Sequence, residues 1–198
     1  MRTGGQALGS TLVRAAVMRG SEALFDELAK RGALTAISRS VLTEAFNRVG
    51  CSAKIARALV QAGADPHSAG EDGTGLTALR GSAATCRENA EKELEMGQTL
   101  IGLGVSLEAR DGLGWTALMG CDSSQLARLL LAHGANPNAH DKDGTTPLLS
   151  TDDDRVALTL LRAGADPRAK DGNGTVRAQA EKGHMPATLA WLDAHAVP

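Results

Sequence analysis

Apolar residues recur along this chain in one short register, and glycine punctuates it. Counting back from Gly32, Gly63, Gly104, Gly134 and Gly164, a leucine stands four residues earlier each time: Leu28, Leu59, Leu100, Leu130 and Leu160. Eight residues earlier stand Leu24, Ile55, Met96, Leu126 and Val156, and three earlier Ala29, Val60, Ile101, Leu131 and Leu161. On a helix of about 3.6 residues per turn these positions form one apolar stripe. The spacing predicts five helices in a common register, each with one buried face and each stopped by a glycine in the left-handed conformation.

The residues on the far side of each glycine repeat as well. Pro66, Pro137 and Pro167 stand three residues after it, where proline ends the helix and holds the chain extended. Next comes an Asp with a Gly three residues on, at Asp72 and Gly75, Asp111 and Gly114, Asp141 and Gly144, and Asp171 and Gly174. An Asp side chain closes a turn onto its own backbone, and Gly supplies the positive φ. Thr77-Ala78-Leu79, Thr116-Ala117-Leu118 and Thr146-Pro147-Leu148 then read as helix starts, with the threonine as cap and Pro147 in the first turn. The unit is therefore helix, glycine stop, tight excursion, helix.

Composition narrows the class. The hydrophobic share is 42% but the aromatic share only 2%, so the core is built from small aliphatic residues that let helices approach closely. Net charge is −2, with no basic stripe, which argues against nucleic acid. No run of about 18 apolar residues is present, and the N-terminal stretch is broken by Gly, Ser and Arg, so neither a membrane span nor a signal peptide is expected. Cys51, Cys86 and Cys121 are few and odd in number, and are expected to be reduced thiols of a cytoplasmic protein.

The combined pattern, Gly-x-Thr-[Ala/Pro]-Leu, a helix ending Leu-Leu-x-x-Gly-Ala-[Asp/Asn]-Pro, then Asp-x-x-Gly, resembles the ankyrin repeat. Trp115 to Gly144 carries the resemblance best, and a degenerate form covers about residues 11–195. The resemblance implies an all-α fold: a solenoid of about six stacked helix pairs with short hairpin or loop connections, preceded by a flexible segment over 1–10. The pairs begin at Thr11, about Ser40, Thr77, Thr116, Thr146 and about Val176. Pairs four and five fall about three residues short of the family length, so shortened helices or a pinched connection are expected there. The third pair has a long middle, Ala84 to Glu93, expected to bulge. Glu22, Asp26, Glu27, Lys30 and Arg31 are expected to form the polar outer face of an end cap.

The resemblance further implies a non-catalytic monomer that binds another protein, with no cofactor and no metal. Its surface is expected at the hairpin tips and first-helix faces, through Trp115, Met119, Arg80, Leu149, Arg110, His140 and Lys142. Trp115 has two readings, a partner anchor or a cover on the hairpin; Trp191 reads as a packing residue. The sharpest version is a dedicated inhibitor or immunity-type binder, since no second domain is visible. The alternative is an enzyme, or a protein binding a small ligand or metal, that uses residues 84–93 or the acidic turn Asp152-Asp153-Asp154. Helix capping accounts for that turn, and for Asp122-Ser123-Ser124 in the same place one repeat earlier. The Asp-rich turns lack the carboxylates of a calcium loop. No nucleophile elbow, phosphate loop or Cys-x-x-Cys pair is present.

Overall fold

A computed structural model describes residues 3–67 and 89–197. Ten helices and one two-stranded hairpin lie among them. The chain divides into two compact units, Met1–Ser106 and Leu107–Pro198.

In the first unit, α1 (Thr3–Met18) packs on α2 (Glu22–Lys30) and α3 (Arg39–Asn47), α3 packs on α4 (Ala53–Gln61), and α4 packs on α5 (Ala90–Gly102). Helix α1 begins at Thr3, ahead of the repeat boundary expected at Thr11. The start expected at Thr77, the turn Asp72–Gly75 and residues 84–88 of the long middle lie outside the described residues. From Asn89 onward that middle is helical: the Asn89 carboxamide accepts from Lys92 N at 3.0 Å and opens α5.

In the second unit, α6 (Ser124–Ala132) packs on α8 (Asp154–Arg162), and α8 packs on α10 (Pro186–Ala194). Helices α7 (Pro147–Ser150) and α9 (Val176–Lys182) pack on each other, α7 also on α8 and α9 on α10. The missing residues of pairs four and five come out of the first helix each time. Pro147, with φ preset for helix, opens α7, which is four residues long. The start expected at Thr116 is only a turn over 117–120, closed by Gly120.

The stripe sets the core, with one shift. Leu59, Leu100, Leu130 and Leu160 are fully buried, and Ile55, Met96, Leu126 and Val156 nearly so. The positions three before the glycine are half-buried at Ala29, Val60, Ile101 and Leu131. The third core position is instead seven before the glycine, where Ala56, Ala127 and Ala157 are each 0% exposed. A methyl there lets neighbouring helix backbones close up, so alanine serves as a packing residue rather than a filler. Leu24 departs from the stripe at 37% exposed.

The helix stops at the repeat glycines follow one geometry. Gly134 takes φ 92, and the next residue, Ala135, donates its N–H to Leu130 O at 3.0 Å. Ala165 does the same to Leu160 O, and in the last helix Ala196 takes the left-handed position itself at φ 52.

One expectation is corrected here. Cys51 is disulfide-bonded, while Cys121 is free and buried, so the chain is not a set of three reduced thiols. Glu27, Lys30 and Arg31 of the expected cap are exposed, while Glu22 and Asp26 also reach the next repeat: Ser52 Oγ donates to Glu22 at 2.6 Å, and Lys54 Nζ meets Asp26 at 2.5 Å. The Asp26 bond holds the Lys54 amine above its ordinary pKa.

Candidate functional site

The Asp turns build the hairpin tips, Asp111 and Asp141 through the same pair of bonds. Asp111 accepts from Leu113 N and Trp115 N, and Asp141 from Asp143 N and Thr145 N, all at 2.8–2.9 Å. Asp171 accepts from Asn173 N at 2.7 Å and sits in the hairpin of β1 (Lys170–Asp171) and β2 (Gly174–Thr175). Each tip is then tied to the next by a side chain. Trp115 Nε1 donates to Asp141 at 3.0 Å, and Thr145 Oγ1 donates to Asp171 at 2.8 Å. Arg110 Nη1 bridges its own turn to the following one, at 2.9 Å to Gly114 O and 2.6 Å to His140 O. Burial on its own would raise the Asp171 carboxyl pKa. The Thr145 hydroxyl and the Asn173 and Gly174 amides outweigh it, and the group lies below its ordinary value.

This ladder forms one wall of a groove of about 460 Å³. Trp115, Leu149 and Ser150 line one side, and Thr175, Ala178, Gln179 and Lys182 the other. The half-buried Trp115 therefore does both things its sequence position suggests: its N–H holds the next hairpin, and its ring lines the groove.

The other expected contact residues are scattered around it. Met119 is 2% exposed and sits inside the unit, which corrects its place among surface contacts: the shortened pair turns it inward. Leu149 is 7% exposed and lines the groove. Arg110, His140 and Lys142 are exposed at the tips and are not groove-lining residues. Arg80 lies outside the described residues. Ala178, Gln179 and Lys182 went unnoticed in the sequence. Ala178 stands three residues after Thr175, as Met119 does after Thr116 and Leu149 after Thr146, so carrying the threonine alignment one repeat further finds it.

The threonines themselves split. Thr175 Oγ1 accepts from Ala178 N at 3.3 Å and caps α9. Thr146 makes no side-chain cap bond, and the hydroxyls of Thr116 and Thr146 are buried without a partner, which corrects the expectation that these two act as caps; Thr77, the third expected cap, lies outside the described residues. An unsatisfied buried hydroxyl costs about 1–3 kcal/mol. Thr116→Val, which keeps the shape and removes the polar atom, is therefore expected to raise stability by about 1 kcal/mol. A chemical-denaturation midpoint that falls instead would show that this hydroxyl has a partner.

The acidic turn is spent on caps. Asp153 Oδ1 accepts from Arg155 N at 2.8 Å and Val156 N at 3.1 Å at the start of α8. Asp154 reaches across to α10, accepting from Ala187 N at 2.8 Å, Thr188 N at 2.7 Å and Thr188 Oγ1 at 2.6 Å. Ser123 likewise caps α6 through Leu126 N at 3.3 Å. The described residues contain no cluster of three His, Cys, Asp or Glu placed to hold a metal. None of their helices is long and apolar enough to cross a membrane. Trp191, read as packing, is half-exposed and stacks on His195 with ring centroids 3.8 Å apart.

The ankyrin-repeat family model matches residues 113–142, the stretch from the Trp115 hairpin through α6 to the next Asp turn. The chain carries an ankyrin repeat. No curated protein matches the chain. One ankyrin repeat is matched, and the turn and helix-stop geometry of that repeat recurs at Asp171 and Gly164. Ankyrin repeats typically mediate binding to other proteins, and the matched repeat suggests an interaction role of that kind.

Proposed function

We propose that this ankyrin-repeat protein is a non-catalytic scaffold that takes a segment of a partner protein into the groove between the Trp115 hairpin and α9. The observation that carries the reading is the groove itself. Its floor combines an aromatic ring and Leu149 with hydroxyl and amide groups from Ser150, Thr175 and Gln179. An apolar anchor site ringed by hydrogen-bonding groups suits a peptide, which brings both side chains and backbone amides. Trp115 is the anchor contact, since its ring is held in place by the bond to Asp141 and loses little freedom on binding. Arg110, His140 and Lys142 sit at the tips, where they steer encounter more than they add affinity.

The test fills the groove without touching the core. Ala178 is exposed on α9, and Ala178→Arg adds a long side chain there at a helix-compatible position. Wild type and variant are compared for capture of proteins from host lysate. A protein retained by wild type and lost by Ala178→Arg supports the groove, whereas equal capture moves recognition to another face. Failure of wild type to retain any protein would overturn the scaffold reading. The narrowest form of the proposal is a dedicated inhibitor: the captured protein's own activity then falls on adding wild type and is spared by Ala178→Arg.

A further inference from the structure

The second helices carry a charge pattern that differs between the two units. The residue six before one stop glycine neighbours the residue nine before the next. In the first unit these pairs are Asp26 with Lys54 and Arg57 with Glu95, opposite in charge both times. Lys54 and Asp26 meet directly, at 2.5 Å, and Arg57 and Glu95 line one cleft between α4 and α5. Arg57 is also anchored there, donating through Nη2 to Thr99 Oγ1 at 2.8 Å.

In the second unit the same two positions hold Arg128 and Arg155. Thr159, which stands where Thr99 stands, donates its hydroxyl to Arg155 O at 2.7 Å. Arg155 turns back to its own cap, 3.4 Å from Asp153. Arg162 then adds a further cation where the first-unit cleft has Gly102. The result is a cleft of about 220 Å³ between α6 and α8, lined by Arg128, Arg162, Leu131, Thr159 and Ala163. Arg128 and Arg162 are both exposed, and neither has an ion-pair partner among the described residues. No carboxylate lines the cleft.

We propose that this α6–α8 cleft is a second interaction surface, which receives a glutamate or aspartate side chain from an acidic segment of a partner protein. A guanidinium presents the N–H fork that a carboxylate matches, and two of them line this cleft. Leu131 and Ala163 give the aliphatic stem of a glutamate an apolar floor, which a bare phosphate would not use. The surface is separate from the Trp115 groove and stands whether or not that groove binds.

The probe is an end-capped peptide of about ten alternating Glu and Ala residues, titrated into the isotopically labelled protein while the arginine Nε–H resonances are followed by NMR. The expected result is movement of the Arg128 and Arg162 signals, with binding about tenfold weaker in Arg128→Gln, Arg162→Gln. Both arginines are exposed, so the double variant keeps its fold, and an unchanged amide spectrum away from the cleft checks this. Equal affinity in the double variant, or signals moving elsewhere, would overturn the proposal. So would a single-stranded oligonucleotide or inorganic phosphate moving the same two resonances more strongly than the peptide does.

Discussion

Leu130→Ala is expected to lower stability of the second unit by about 2–5 kcal/mol. Leu130 is 0% exposed in α6, and its position is that of the leucine that every repeat keeps. Truncation removes transfer energy and leaves a void between helices that already meet over alanines at 127 and 157, so little remains to collapse into it. Against a typical total of about 5–15 kcal/mol this is a large share. Trp115 and Trp191 are the only tryptophans in the chain and both fall within Leu107–Pro198, so their fluorescence reports on that unit. Leu131→Ala is the control, because Leu131 is half-buried and its loss is expected to be clearly smaller. Equal losses for the two leucines would refute the assignment of the stripe.

Asp154→Ala is expected to cost roughly 2–3 kcal/mol and to weaken the acid dependence of unfolding. One carboxylate accepts three bonds from the first turn of α10, and Thr188, which supplies two of them, is 0% exposed. Removing it leaves buried donors without a partner, a larger penalty than the net value of the bonds themselves. Burial on its own would raise the Asp154 pKa, but the Thr188 hydroxyl and the Ala187 and Thr188 amides hold it below the ordinary value of 3.8. Asp153 is lowered in the same manner, burial being outweighed by the Val156 and Arg155 amides and the Arg155 side chain. With a depressed folded-state pKa, the unfolded chain binds more protons, so stability rises with pH through this window. The contribution is complete above 3.8 and is lost as pH falls through the lower folded value. Denaturant midpoints measured from neutral pH down to about pH 3 are therefore expected to fall more steeply for wild type than for Asp154→Ala. Parallel curves would show that Asp154 does not titrate against this cap.

Capping at Asp153 and Ser123 was legible in the residues alone, because an N-cap bond spans only two or three residues and needs no tertiary partner. The same local chemistry made Asp111, Asp141 and Asp171 readable as turn formers. The second role of Asp154 was not readable, since its partners Ala187 and Thr188 are more than thirty residues away. The alanines at 56, 127 and 157 also passed as neutral, because alanine carries no hydrophobic signal strong enough to mark a face, although close helix approach makes it a core residue.

Residue order was enough to specify the repeat: the stripe at four and eight residues before each glycine, the glycine stops and the Asp turns. All of these arise from interactions within one or two helical turns, where residue type and spacing suffice. Which neighbours meet across repeats emerged only in the folded chain. Folding put Trp115 on Asp141, turned Met119 inward, left the Thr116 hydroxyl without a partner, and set Arg128 and Arg162 on one cleft. Those outcomes depend on how far each shortened first helix lets one repeat slide and rotate against the next. That offset is set by the packing of whole helices and by no single residue along the chain.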